Sequence, residues 1–504
     1  VKRIIFFGPP GTGKTTTLLG ALDAELKAGV SVEEIAFLTF TRRARHEAVE
    51  RVGSVLGFAP KELPYFRTIH SMAYRALRLT DGDLLGATKL KEFGKSMGVT
   101  FGDLAHSDLA AEGLASGNEG DILMALDNLA RIRLEPLTRT WSDAKPDIDW
   151  PTVDHFSRSY AAFKQANGVL DFTDVLIEFV KSKQTLPVAV SFIDEAQDLS
   201  SLQWLAVFEA TANAERQYVA GDDDQAIYRW AGADVKMFMT LEGERKVLEQ
   251  SYRLPRRIHR LATLMAAQIK QRVPKEFKPR DEDGEIHRHA TVEGLDLSKD
   301  GWLWLVRNRY LISGLRDHLD QAGVVYGMHG RSSIIDNERD AIYTWERLRA
   351  GKKVRGEDAR LVYKYLRALT QIKRGHKLLP HLGDEHMVSM KDLREEHGLL
   401  AADEEWYTIL EGIPLGRRQY YRRLLRHHHS LKLPVQVQLE TIHGAKGGEA
   451  DRVALFLDMA RRTYEEQAVN PDDEHRVWYV GVTRAKRELH VIQASGLYSY
   501  RMRM

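Results

Sequence analysis

The sequence contains no cysteine. That excludes disulfides, thiolate-bound zinc and cysteine-held iron–sulfur clusters. It also lacks any apolar run near the ~18 residues that a membrane-crossing helix requires. The apolar stretch Ile4–Phe7 near its start is too short for a secretory leader, so the expectation is an intracellular protein without membrane association. A large excess of charge is missing as well. Lys and Arg number 73 against 71 Asp and Glu, a net of +2, and composition alone gives no argument for a nucleic-acid partner. There is no internal repeat and no low-complexity tract. What is present is a 504-residue chain, 43% hydrophobic and 29% charged, which suits a globular protein of three or four domains.

Short apolar runs at Ile35–Phe40, Val188–Ile193, Gln217–Ala220, Val453–Leu457 and Leu489–Ile492 read as buried parallel strands. Helical patterns adjoin most of them, which predicts an α/β fold with a mostly parallel sheet. Two helical stretches interrupt this alternation. Residues 81–165 are acidic, with 9 Lys+Arg against 14 Asp+Glu; residues 331–431 are basic, with 20 against 15. The segment Pro274–Arg280 reads as a crossing between two larger units. The run His427-His428-His429 reads as part of a solvated basic face, because three consecutive imidazoles on a helix do not converge on one ion.

The strongest local signal is FFGPPGTGKTTTL, residues Phe6–Leu18. Gly8, Gly13, Lys14 and Thr15 fit G-x-x-x-x-G-K-[ST], between a short apolar strand and a helix with Leu18, Leu19, Leu22 and Leu26 on one face. A loop running through Gly8, Pro9, Pro10, Gly11, Thr12 and Gly13 to Thr16 can turn its N–H groups onto phosphate oxygens at the positive end of that helix. Lys14 then reaches the β- and γ-phosphates, and Thr15 holds Mg²⁺. The cofactors implied are ATP and Mg²⁺. Asp194 and Glu195, after the apolar run ending at Ile193, supply a second Mg²⁺ ligand and a base for the attacking water. A third acidic run, Asp222-Asp223-Asp224, requires a nearby cation. Gln225 behind it can sense a γ-phosphate, and Trp230 can stack a base.

GPPGTGKT, FIDEAQD and AGDDDQAIYRW together resemble the superfamily 1 (SF1A) DNA helicases of the UvrD/Rep/PcrA kind. LTFTRRA (38–44), RTIHSMAYRAL (67–77), LDFTDVL (170–176), LEQSYR (248–253), VQLETIHGAKGGE (437–449) and YVGVTRAKREL (479–489) resemble further family motifs in family order. The resemblance implies two RecA-like parallel-sheet motor domains, each interrupted by a mainly helical insert. The first motor domain would span 1–80 plus 166–278 with an insert at 81–165; the second would span 279–330 plus 432–504 with a basic insert at 331–431. It implies that Arg253 and Arg484 approach the γ-phosphate and that Gln225 links that phosphate to the DNA side. Tyr252 would stack on adenine, with Glu449 near the ribose. Phe40, Thr41, Arg43, His70, Trp230, Thr441 and His443 would contact single-stranded DNA, and Arg417, Arg418, Arg422 and Arg423 suit duplex DNA.

The activity implied is 3′-to-5′ translocation on single-stranded DNA with unwinding at duplex junctions, in the cytoplasm of a bacterial cell or a phage-infected host. Two other readings compete. A DNA-binding remodelling protein with weak ATPase would be expected to lose Lys14, Glu195, Gln225, Arg253 or Arg484, all of which are present. A small-molecule kinase sharing the loop has no use for Trp230. Some positions depart from the family pattern: Thr16 stands where Arg is usual, Ile69 where an aromatic is usual, and Gly444 and Gly448 where Ser and Leu are usual. Adenine recognition is expected to rest mainly on Tyr252.

Overall fold

Alternation along four short strands organises the first sheet. In β1 (Lys2–Phe7), Ile5 and Phe7 face one side and Phe6 the other. In β2 (Ile35–Thr39), Ala36 and Leu38 join the first face, and Ile35 and Phe37 the second. Ile193 and Phe192 divide β4 (Val190–Asp194) in the same way, and Val219 and Ala220 divide β5 (Arg216–Gly221). With β3 (Phe66–Thr68) and β6 (Glu244–Val247) they form a six-stranded sheet in the order β3-β2-β4-β5-β1-β6, parallel at every pairing. Helices Ile69–Ala76, Phe172–Ser182 and Ser201–Ala210 cover one face; Lys14–Lys27 and Arg42–Leu56 cover the other. Burial on both faces explains why β1, β2 and β4 carry apolar residues on both sides.

The computed structural model describes residues 1–102, 118–379 and 381–503, apart from the side chain of Arg43. The chain divides into two units: Val1–Arg288 with Ala445–Glu449 and Leu457–Met504, and His289–Gly444 with Ala450–Phe456. Pro274–Arg280 falls within the first of these units. It is anchored inside the first unit, where Lys278–Arg280 pairs with Gln250–Pro255 and the Lys275 side chain is buried. The first unit also holds a small helical core of its own, built on Phe93, Leu123, Leu126, Val153, Phe156 and Tyr160. Arg131 and the buried Lys164 tie this layer to the start of helix Phe172–Ser182 by ion pairs to Asp171 and Asp174. Both acids belong to LDFTDVL, and Asp171 also caps the helix through the Asp174 N–H.

In the second unit, Trp302–Val306 lies between Val437–Thr441 and Ala450–Phe456, parallel to both. Tyr326–Met328 extends the sheet beyond Val437–Thr441, and Arg331–Ser332 closes its edge antiparallel. The helical stretch packs around Trp345, Tyr363, Tyr420, Tyr421 and Leu424. Four of its arginines already have internal partners: Arg417 pairs with Glu338, Arg418 and Arg423 donate to the Tyr407 and Asp320 carbonyls, and Arg422 lies over the Tyr407 ring. No helix among the described residues is long and apolar enough to cross a membrane.

Candidate active site

The loop between β1 and helix Lys14–Lys27 has no room for side chains at two glycines. A Cβ on Gly8 would lie 2.1 Å from Lys14 Cγ, and one on Gly11 would lie 2.3 Å from Arg253 Cβ. Gly11 and Gly13 also take φ of 72° and 78°, which L-residues rarely adopt. Pro9, Thr12 and Thr17 close the loop: the Thr12 hydroxyl donates to the Pro9 carbonyl at 2.8 Å, and Thr17 donates to Gly13. Lys14 Nζ donates to the Gly8 carbonyl at 3.0 Å. Thr16 is exposed at the helix start.

Thr15 Oγ1 donates to Asp194 Oδ2 at 3.0 Å, joining the loop to the end of β4. Burial, and then the charge of Glu195, lift the Asp194 carboxyl to about 6. Burial opposes the Glu195 charge too, but the Lys14 and Lys446 ammonium groups and the Gln197 amide outweigh it and hold this carboxyl below the usual range. Glu195 adopts φ 53°, a left-handed backbone that a non-glycine residue keeps only under constraint. Gln197, fully buried, donates to Glu195 at 2.5 Å and accepts from the Asp222 N–H at 2.9 Å.

Asp222, Asp223 and Asp224 have the cation their sequence demands. Lys275 Nζ lies 3.2, 2.5 and 2.9 Å from the three carboxylates, and Arg272 pairs with Asp224 at 2.6 Å. Gln225 donates to Asp222 at 2.7 Å and accepts from Arg484 Nη2 at 2.9 Å. Arg484 is 1% exposed and donates to the Val480 and Gly448 carbonyls. It has no carboxylate ion pair among the described residues. Burial, then the neighbouring Arg253 charge, lower its pKa to about 9, so it stays cationic at neutral pH. Arg253 pairs with Glu449 at 2.6 Å. Next to it, the Tyr252 N–H donates to the Gly11 carbonyl while its ring is 73% exposed.

Lys446 went unmarked in the sequence, where it is one lysine in a glycine-rich stretch. Its ammonium binds both Asp198 oxygens at 2.6 Å and the Gln225 carbonyl at 2.8 Å, and lies 5.0 Å from the Tyr228 ring centroid. That ring is 6.0 Å from Phe40 and 6.0 Å from Trp230. Thr41 is exposed and caps helix Arg42–Leu56 through the Ala44 N–H. Loss of hydration lowers His70 to about 4, so it is neutral at pH 7; its ring meets Phe172 edge-on at 6.4 Å. The side chain of Arg43 lies outside the described residues. Thr441 and His443 are buried in the second unit, at and just beyond the end of Val437–Thr441.

The donor set fits a magnesium nucleotide on two grounds. Glycine-only backbone leaves the loop open to phosphate oxygens, and a hydroxyl and a buried, under-neutralised carboxylate stand together as hard oxygen ligands.

A family model described as UvrD/REP helicase N-terminal domain matches residues 2–246, and one described as UvrD-like helicase C-terminal domain matches residues 422–496. ATP-dependent DNA helicase PcrA of Bacillus subtilis is 27% identical over 300 residues, covering 56% of this chain and 40% of that protein. ATP-dependent DNA helicase srs2 of Schizosaccharomyces pombe is 25% identical over 389 residues, 66% of this chain and 43% of that protein. PcrA of Staphylococcus aureus strain Mu50 is 24% identical over 312 residues, 58% and 42% respectively. The chain thus spans less than half the length of these relatives. The solved structure of the PRRSV helicase covers 98% of this chain and 52% of its own, with a TM-score of 0.34 and 11% identity, too low a likeness to bear on the fold. The phosphate loop, Asp194, Glu195 and Gln225 fall within the first family match, and Glu449 and Arg484 within the second. The chain belongs to the UvrD/Rep/PcrA family of superfamily 1 helicases.

Proposed function

We propose that this protein is an ATP-dependent DNA helicase or translocase that moves 3′ to 5′ on single-stranded DNA and opens duplexes at single-strand junctions, in replication, repair or recombination. One observation supports this above the rest: an unbroken chain of contacts leads from the phosphate site to a cluster of half-buried aromatics. Arg484 touches Gln225, Lys446 touches the Gln225 carbonyl, and the same ammonium faces Tyr228, which meets Phe40 and Trp230. A simple phosphate-transfer enzyme has no need of the second half of that chain.

In this reading the N–H groups from Gly8 to Thr16, with Lys14, bind the phosphates, and Thr15 and Asp194 hold Mg²⁺. Bound Mg·ATP supplies the phosphoanhydride whose hydrolysis drives the cycle. Glu195 orients the attacking water and takes its proton. Arg484, a buried cation without a carboxylate, and Arg253 stabilise charge developing on the transferred group. Tyr252 offers its free ring face to adenine, with Glu449 beside it for the ribose. Phe40 and Trp230 stack bases whatever their sequence, at about 1–3 kcal/mol per base. Thr41, Arg43, His70, Thr441 and His443 hold the strand, and His70 acts as a neutral hydrogen-bonding group. The motor domains take the boundaries expected from the resemblance, 1–80 plus 166–278 and 279–330 plus 432–504, with inserts 81–165 and 331–431. A two-state element needs about 5.5 kcal/mol of differential binding to flip, whereas one base-pair step costs about 1.4 kcal/mol, so one cycle suffices to open at least one pair. A cytoplasmic site of action follows.

Phosphate release should rise with added single-stranded DNA and vanish in Glu195→Gln. Strand displacement should need a 3′ tail and prefer DNA to RNA. ATPase indifferent to single-stranded DNA would remove the motor reading, and equal displacement from 5′ tails would remove the polarity.

A further inference from the structure

Two Glu-x-His tripeptides, Glu285-Ile286-His287 and Glu488-Leu489-His490, lie on the strands Glu285–His289 and Ala485–Ile492, which are neighbours in one sheet. Because side chains alternate along a strand, the Glu and His of each tripeptide share a face while the middle residue points away; Leu489 is fully buried on the opposite side. Adjacent strands about 4.8 Å apart then gather two imidazoles and two carboxylates into one patch. The His287 and His490 rings stack with centroids 4.6 Å apart at 28°. His490 Nε2 lies 3.2 Å from Glu488 Oε2, and His287 Nε2 lies 2.8 Å from Glu285 Oε2. One donor atom from each of His287, Glu488 and His490 falls within 4.8 Å of the other two. His490 is buried, Glu488 is half-buried and His287 stands at the rim.

We propose that His287, Glu488 and His490, with Glu285 closing the exposed side, bind a divalent transition-metal ion of the zinc class. Two imidazoles with carboxylates suit a borderline ion, whereas Mg²⁺ and Ca²⁺ take oxygen ligands. Metal–ligand bonds of about 2.0–2.2 Å require donor atoms roughly 3.3 Å apart in a tetrahedron, so the rim histidine has only a short distance to close. The imidazole nitrogens that bind give up their hydrogen bonds to the carboxylates, and binding releases protons. The ion has a route in, because His287 and Glu488 line an open cavity of about 720 Å³ with Glu282 and Asp283. Arginines line it as well, and Arg280 is already paired with Glu282. The absence of cysteine excludes thiolate zinc sites but leaves this donor set intact. The strand so braced begins at Ala485, directly after Arg484.

The test is titration of the full chain with Co²⁺, read by visible d–d absorption, followed by displacement with Zn²⁺ and a thermal shift in each metal. One ion per chain should bind with the intensified bands of a four- or five-coordinate site, and Zn²⁺ should displace it. Zn²⁺ should raise the melting temperature of the wild-type chain by a few degrees and that of His490→Gln by less. His287→Gln, at the rim where folding is least at risk, should weaken Co²⁺ binding at least tenfold, and His490→Gln should abolish the bands. A variant with His427, His428 and His429 all changed to Ala should bind as wild type. Unchanged affinity in His287→Gln, loss of the bands in the triple variant, or an equal Zn²⁺ shift in His490→Gln would overturn the proposal.

Discussion

Two acidic runs stand close together in the first unit and meet opposite treatment. Asp222, Asp223 and Asp224 surround the buried Lys275 ammonium and gain Arg272 besides. Burial works against Asp222, yet Lys275 holds its carboxyl below the usual range; burial and its two neighbours still lift Asp223. Asp194 and Glu195 have no direct ion pair among the described residues, although the Lys14 and Lys446 charges still hold Glu195 low. The nearest loop cation, Lys14, donates to the Gly8 carbonyl, and Asp194 rises to about 6. In the proposed function, Asp194 is left under-neutralised for the ion that arrives with the nucleotide. Arg484 mirrors it with the opposite sign, as a buried cation without a carboxylate. In the proposed function the paired run is architecture and the under-paired groups carry the chemistry.

The sharpest test of that division is Arg484→Ala, which should lower DNA-stimulated kcat by about 10³–10⁵ in a phosphate-release assay while nucleotide still binds. Glu195→Gln should follow, with a loss of about 10²–10⁴ in kcat and little change in melting temperature. Lys275→Met should invert the pattern: urea denaturation should show about 3–5 kcal/mol lost, because three buried carboxylates lose their shared cation. Activity of whatever remains folded should fall far less than in Arg484→Ala. A stable Lys275→Met protein with dead chemistry would break the comparison.

The smallest effect lies in pH. With Asp194 raised to about 6 from an ordinary 3.8, the native state holds this proton more tightly than the unfolded chain. Its contribution is full below pH 3.8 and is lost as pH rises through 6, about 3 kcal/mol at most. Asp222, lowered, contributes in the reverse sense: its stability is present above 3.8 and is lost on acidification. Denaturation of wild type and Asp194→Asn in magnesium-free buffer between pH 4 and 7 should differ in slope, the variant lacking the fall.

Much of this site was legible before any coordinates. Backbone that must approach phosphate demands Gly8, Gly11 and Gly13, and a strand end demands its acids at Asp194 and Glu195; both are local requirements written in consecutive residues. The triple aspartate even announced a missing cation. Its identity was hidden, because Lys275 lies 52 residues beyond Asp223 in a stretch that reads as a linker. Lys446 and Gln197 were hidden for the same reason: their partners Asp198, Gln225 and Asp222 are set by the fold, not by spacing. LDFTDVL could be matched to a family without a role, since the role belongs to Arg131 and Lys164 in another layer. The arginines of Leu415–His428 looked free because helical periodicity says nothing of Glu338 or the Tyr407 ring. The Glu-x-His pair was invisible until two distant strands became neighbours.

Glu195 sits at φ 53°, where glycine would rest at ease. Replacing it with glycine should make the chain harder to melt while silencing it, since relief of such backbone strain stabilises the native state. Populations chosen only for heat tolerance would therefore drift toward dead motors, and only continued demand for turnover keeps the uncomfortable carboxylate in place.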